Sequence, residues 1–172
     1  RKVQGKTPVV LDRSQAYIGV LIDDLVTKET SEPYRMMTSR AEYRLLLRQD
    51  NADIRLTDIG HDIGLIDDER YSKFILKKKQ IEKEIYRLEN TMVGANSTIQ
   101  KFLEKKNSTG LKTAASLAEL IRRPELSYED IEEIDEGREK LPDDVIEQIN
   151  ITIKYKGYID RQNQQVHQFK KL

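Results

Sequence analysis

Between Glu32 and Thr57, in the run EPYRMMTSRAEYRLLLRQDNADIRLT, five arginines recur among tyrosines and leucines: Arg35, Arg40, Arg44, Arg48 and Arg55. A guanidinium is planar, permanently charged and armed with a fork of donors that matches phosphate or carboxylate oxygens. Arg40, Arg44 and Arg48 are four residues apart, so on a helix they form a slowly drifting row. Four acids, Glu32, Glu42, Asp50 and Asp53, share the stretch and leave an excess of one positive charge. Two readings therefore stand side by side: a solvated face closed by internal ion pairs, or a surface that contacts an anion such as RNA.

Other chemistry is sparse. Asp23 and Asp24 are adjacent carboxylates, the raw material for metal binding or acid–base work, but no third ligand lies nearby, and they read as helix-end or interface charges. His61 and His167 each stand apart from any second histidine and read as surface residues. The chain has no cysteine, hence no thiolate, disulfide or iron–sulfur cluster, and two histidines make a poor zinc set. Its glycines never fall in a G-x-G-x-x-G or G-x-x-x-x-G-K-[ST] spacing, so no backbone cradle for a dinucleotide or nucleotide phosphate is expected. No nucleophile, base and orienter set appears. Alone, this polypeptide is expected to be inactive.

The elements that must position the arginines read as helices. Ser39 and Glu42 have capping-box spacing, which predicts a helix from about Arg40 with Tyr43, Leu46 and Leu47 on its buried face. Pro33 marks a loop before it. Upstream, Arg1 to Pro8 reads as a polar extended linker and Val9 to Leu11 as a short apolar run. Gln15 to Leu25 reads as a buried helix, with a strand over Tyr17 to Ile22 as the alternative. Downstream, Thr57 is placed to cap a short helix carrying Ile59 and Ile63, with Gly64 as its stop.

A long helix should open at Asp67 or Asp68. Its seam, Tyr71, Phe74, Lys78, Ile81, Ile85, Leu88 and Met92, steps by three and four, and Gly94 ends it. Six basic residues between Lys73 and Glu89 oppose three acids, a face that could touch RNA backbone or simply be solvated. Ser97 with Gln100 has the spacing of a second capping box, ahead of Ile99, Phe102 and Leu103. The run KKNSTG, Lys105 to Gly110, reads as a loop, and Leu117, Leu120 and Ile121 as a short helix that stops before Pro124. Leu126, Ser127 and Ile131 have the form of a hydrophobic staple. From Glu129 to Asp144 nine acids face two bases, an edge expected to repel RNA. In the last segment Val145, Ile149 and Ile153 form one helical stripe, and Ile151, Tyr155, Tyr158, Ile159, Gln162, Val166 and Phe169 form another. Alternation of Ile149, Ile151, Ile153 and Tyr155 also fits a strand.

Composition narrows the class. With 172 residues the chain is long enough for one real core, and 35% charged against 6% aromatic residues suits a solvated helical protein better than a β-sandwich. Lys+Arg and Asp+Glu are 30 each, so any electrostatic steering must be local. No long apolar run or signal peptide appears, which argues against a membrane span or export; the absence of cysteine fits a cytoplasmic location. The first residue is Arg rather than Met, as in an excised fragment.

The Glu32–Asp53 run, with Asp23-Asp24-Leu25 and Thr27-Lys28 before it and Arg55-Leu56-Thr57 after it, resembles the signature of the MnmG (GidA) family of bacterial and organellar tRNA-modification enzymes. The resemblance continues through Gln15 to Leu21, Gly64 to Arg70, Arg122-Arg123-Pro124 and Lys154 to Ile159. Two positions depart from it: Glu29 stands where the family usually has glycine, and Met37 where it usually has phenylalanine. A glycine there could serve a positive φ that glutamate tolerates poorly.

The resemblance implies a helical rear region of an FAD-dependent enzyme that installs the carboxymethylaminomethyl group on wobble uridine of tRNA. It favours helix over strand in the last segment. The implied fold is all-α: an irregular helical bundle with one long heptad-like helix and a long C-terminal helix. Residues 1–57 would be a junction docking on an absent FAD-binding domain, and residues 58–172 a helical domain truncated at its end. FAD, NADH and methylenetetrahydrofolate would be handled elsewhere in the parent enzyme, which would be a homodimer. The implied partners are tRNA and the GTPase MnmE, with Arg35, Arg40, Arg44, Arg48 and Arg55 as RNA or interdomain contacts. A helical protein-interaction module with no RNA role is the alternative.

Overall fold

The computed structural model describes Val3, residues 5–29 and residues 31–171. Arg1, Lys2 and Gln4 of the expected linker lie outside the described residues. Helices carry the fold: α1 (Tyr17–Thr27), α2 (Ala52–Asp62), α3 (Asp68–Asn90), α4 (Ser97–Lys105), α5 (Leu117–Ile121), α6 (Asp143–Lys154) and α7 (Lys156–Phe169). Two 3-10 turns, Thr38–Arg40 and Asp130–Ile134, and one pair of two-residue strands complete the described elements. The strands, β1 (Met92–Val93) and β2 (Ala115–Ser116), pair antiparallel with Met92 opposite Ser116 and Val93 opposite Ala115. The chain is thus an all-α protein.

Chain contacts separate two compact units, Arg1–Phe74 with Gly157–Leu172, and Ile75–Lys156. Residue 57, the end of the junction segment read from the sequence, falls inside α2.

The second unit has a closed core. Leu88, Leu103, Leu117, Ala118, Leu120, Ile121, Tyr128, Ile131 and Ile149 are fully buried, with Ile81, Ile99, Phe102, Leu126, Val145 and Ile153 close behind. On α3 the seam narrows to Phe74, Ile81 and Leu88, seven residues apart; Ile85 is half-buried and Met92 is exposed. On α6 the Val145–Ile149–Ile153 stripe is buried as expected, joined by Gln148. The helical reading of the last segment holds, with one break at Tyr155 (φ −101°, ψ 10°) between α6 and α7. No residue of α7 is fully buried.

Local signals were partly reassigned. Asn96, not Ser97, caps α4 by accepting from the Ile99 amide at 3.0 Å. Gln100 is drawn away from any cap, because its amide exchanges two hydrogen bonds with the Leu111 backbone across the KKNSTG loop (2.6 and 3.1 Å). A capping box the sequence reading passed over is present at α5: the Glu119 amide donates to Ser116 Oγ, and the Ser116 amide to the Glu119 carboxylate. Ser127 and Asp130 form a similar reciprocal pair beside buried Leu126 and Ile131. Gly64, at φ +80°, terminates the segment after α2 as glycine must.

The basic face of α3 and the acidic run cannot be read as separate surfaces. Lys77 pairs with Asp144 (2.9 Å), Lys83 with Glu139 (2.7 Å) and Arg87 with Asp135 (2.5 Å). Lys105 and Lys106 of the α4 end pair with Glu133 and Asp130 (2.8 and 2.7 Å). Five of the nine acids are thereby matched by cations from other elements, which the linear charge sum does not show.

Candidate functional site

The first unit contains the arginine stretch, and it departs from the expected helix. Thr38–Arg40 is a 3-10 turn, Ala41 is extended (φ −93°, ψ 123°), and the next α-helix begins only at Ala52. Thr57 therefore sits inside α2 rather than at its start. The capping box fails for a tertiary reason. Glu42 does not reach back to Ser39, because its carboxylate receives Arg13, with Nη2 at 2.6 Å and Nε at 3.3 Å. Two guanidinium donors on one carboxylate outweigh the single backbone amide that the cap would offer it. A single turn survives at Leu46 and Leu47, whose amides both donate to the Tyr43 carbonyl at 3.0 Å.

Arg13, which the sequence reading did not single out, is the hub. Its side chain is 13% exposed and, besides Glu42, donates to Asp24 at 2.5 Å and Asp23 at 2.9 Å. Burial opposes its charge, but the three carboxylates Glu42, Asp24 and Asp23 more than offset that and raise its pKa. Asp24, in the last turn of α1 and 1% exposed, also receives Lys28 Nζ at 2.8 Å and the Tyr34 hydroxyl at 2.7 Å. Lys28, Tyr34 and Arg13 together hold its carboxyl well below the usual carboxylate range. Asp24 is thus the buried centre of an ionic knot, and Asp23, 44% exposed, lies at its edge. Among the described residues no cluster of His, Asp or Glu could hold a metal.

The five arginines separate into two groups. Arg48 donates to Asp50 at 3.2 Å and to the Leu45 carbonyl. Arg55 binds Asn51 Oδ1 at 3.0 Å, the Arg48 carbonyl at 2.9 Å and the Gln15 carbonyl, tying α2 to the entry of α1. Burial, then the neighbouring Arg48 charge, lowers the Arg55 pKa. These two are structural clamps. Arg35, Arg40 and Arg44 are exposed. Arg40 lies over the Tyr34 ring with its guanidinium carbon 4.4 Å from the centroid, while Arg35 and Arg44 make no side-chain hydrogen bond or ion pair among the described residues.

The second feature of this unit is apolar. Only Gly19, Val20 and Asp24 of α1 are buried, so the expected buried helix is buried on one side alone. Ile18, Ile22, Leu25 and Val26 are 46–76% exposed, and Met36 and Met37 are similarly open. A small cluster of Val20, Ala41 and Leu47, with Tyr17 against it, is the core beneath. Beside it a groove of about 480 Å³ is lined by Val10, Leu11, Ile22, Val26, Tyr43 and Phe169, with Arg13, Glu42 and Lys170 among its polar groups. Gly19 is needed because a Cβ there would meet the Asp12 carbonyl oxygen at 2.2 Å. Of the two family departures, Met37 is exposed and extended (φ −129°, ψ 145°). Glu29 causes no backbone strain, since Asn107 is the one non-glycine residue with positive φ among the described residues.

His61 is half-buried, stacked on Tyr71 at 3.8 Å and bonded to Asp68 at 2.9 Å, while His167 is exposed as expected. No helix among the described residues is long and apolar enough to cross a membrane.

Comparison with known proteins places this arrangement. Residues 68–163 match the family described as the tRNA modifying enzyme MnmG/GidA C-terminal helical domain. The chain is 63% identical, over its whole length, to the tRNA uridine 5-carboxymethylaminomethyl modification enzyme MnmG of Lachnoclostridium phytofermentans, and 61% identical over 99% of its length to that of Clostridium novyi. It spans 27% of either relative. A crystal structure of Aquifex aeolicus GidA superimposes with a TM-score of 0.82 at 34% identity, covering 99% of this chain and 26% of that one.

Proposed function

The chain belongs to the MnmG/GidA C-terminal helical domain family of tRNA-modifying enzymes, and from that premise we propose that it is the noncatalytic rear segment of a wobble-uridine carboxymethylaminomethyl-modification enzyme. In this reading FAD carries the redox step, with NADH and methylenetetrahydrofolate as the other small molecules, all outside these residues. The eight glycines of the chain include no G-x-G-x-x-G spacing, which supports placing the flavin outside these residues. No step of the reaction is assigned to them.

Two roles remain. The exposed apolar side of α1, within the stretch from residue 15 to residue 57, docks on the preceding flavin-binding part of the same polypeptide. Arg35, Arg40 and Arg44 contact tRNA, and other helix faces meet the GTPase MnmE in a homodimeric, cytoplasmic enzyme. The observation that carries the RNA role is the division of the arginines, because three permanently charged forks stay in solvent while two close on backbone carbonyls. Cations kept free of internal acids are the ones available for phosphate.

The test is the salt dependence of tRNA affinity in the full-length polypeptide. Arg44→Ala should weaken binding and lower the slope of log K against log salt by about 1. Arg55→Ala should instead destabilise the fold by about 2 kcal/mol through lost charged hydrogen bonds. An unchanged slope for Arg35→Ala and Arg44→Ala, with MnmE still retained in a pull-down, would favour a protein-interaction module without an RNA role. The closure of the α3 cations on the acidic run is the observation that favours this second reading.

A further inference from the structure

Arg40 and Tyr34 form a platform whose parts are fixed from beneath. The Tyr34 hydroxyl donates to Asp24 Oδ2 at 2.7 Å, and Asp24 is itself immobilised by Arg13 and Lys28 at 1% exposure. The ring therefore cannot swing without breaking a buried charge-assisted contact. The Arg40 carbonyl accepts from Arg13 Nη2 at 3.4 Å, which ties the backbone of the second member to the same hub. Arg40 holds its guanidinium carbon over the ring, 4.4 Å from the centroid, and the residue is otherwise exposed, so a weakly hydrated cation rests against the ring on one side and meets solvent on the other. Arg35, the next residue after Tyr34, is exposed and has no ionic partner among the described residues.

A flat, charged, pre-ordered surface beside a free cation suits a ligand that is a planar π-system attached to a phosphate. Within a duplex both faces of each base are already stacked, so only an unpaired nucleotide has a face to offer. We propose that the Tyr34–Arg40 stack is a seat for an unpaired RNA nucleotide, its base lying on the open face of Arg40 and its phosphate within the field of Arg35. The seat is tolerant of base identity, because stacking uses the face that every base has. Rigidity from the Asp24 knot lowers the ordering cost of binding. This inference rests on the tRNA-binding reading above and adds to it the chemical form of the nucleotide and the residues that receive it.

The experiment compares the full-length polypeptide with its Arg40→Lys and Tyr34→Phe variants. The probes are a labelled RNA hairpin carrying 2-aminopurine at successive loop positions and a fully paired duplex of equal length. Arg40→Lys keeps the charge and removes the flat face. It should weaken hairpin binding about tenfold, the order of one base–aromatic stack, with an unchanged salt slope and unchanged duplex affinity. One loop position should show quenched fluorescence with the parent protein and recovered fluorescence with Arg40→Lys. Tyr34→Phe keeps the ring and loses the tether to Asp24, so a smaller loss is expected. Hairpin affinity unchanged in Arg40→Lys, an equal loss for duplex, or no quenched loop position would overturn the seat while leaving tRNA binding intact. Failure of the parent protein to bind either RNA would overturn the tRNA reading and the seat together.

Discussion

The two units of this chain bury apolar surface in opposite ways. In Ile75–Lys156, residues from α3, α4, α5, α6 and the 3-10 turn at Asp130–Ile134 close on one another until nine side chains have no measurable exposure. In Arg1–Phe74 with Gly157–Leu172, the named cluster is Val20, Ala41 and Leu47, while α1 turns four large aliphatic residues to solvent. The first unit is held in shape by charge instead, with Arg13 gathering Asp23, Asp24 and Glu42. A region built this way keeps its form yet leaves an apolar face unsatisfied. The proposed docking of α1 would cover that face, whereas the second unit is complete as a core.

Paired substitutions in the 172-residue chain probe this contrast directly. Leu120→Ala should cost about 3 to 5 kcal/mol in denaturant unfolding, since it empties a fully buried site, whereas Ile22→Ala should stay within about 0.5 kcal/mol. Equal losses at the two positions would mean that α1 is already packed. Next in size is Arg87→Ala, which strands the buried carboxylates of Glu84 and Asp135 and should cost about 3 kcal/mol by the same measurement. Retained stability would show that this ionic closure adds little to the apolar core around it.

Asp24→Asn sharpens the other side of the comparison. Because the folded-state pKa of Asp24 is depressed below its unfolded value of about 3.9, its contribution is fully present above that value and is lost as pH falls toward the folded pKa. Asp24→Asn should therefore be less stable than the parent at pH 7, and the gap should narrow on acidification below about pH 4. A gap independent of pH would assign the role of Asp24 to shape rather than charge.

Much of the helical order was legible in the sequence because it depends on local repetition. The stripe of α6, the stop at Gly64 and the Phe74–Ile81–Leu88 part of the α3 seam are properties of neighbours three, four and seven residues apart, and these reappear in the structure, whereas α3 ends at Asn90, short of Met92 and Gly94. The helix expected from Arg40 failed because Glu42 has a stronger partner in Arg13, which lies far away in sequence and carries no local mark. The cap at Asn96 shows the same competition on a smaller scale, with Gln100 taken by Leu111.

In the site, the sequence identified the five arginines as a group but could not divide them. The division depends on which carbonyls and acids arrive beside each guanidinium, and those come from Gln15, Leu45, Asn51 and Asp50 as the loop folds back. The same holds for charge: a run of nine acids and a helix rich in lysine look like two surfaces until three ion pairs join them. By itself, then, the order of residues determined the helical class, the family signature and the apolar faces, because these follow from periodicity and residue type. Only the tertiary structure decided which cations remain in solvent and which carboxylates are buried, because an ionic partner is chosen by distance in space and not by distance along the chain.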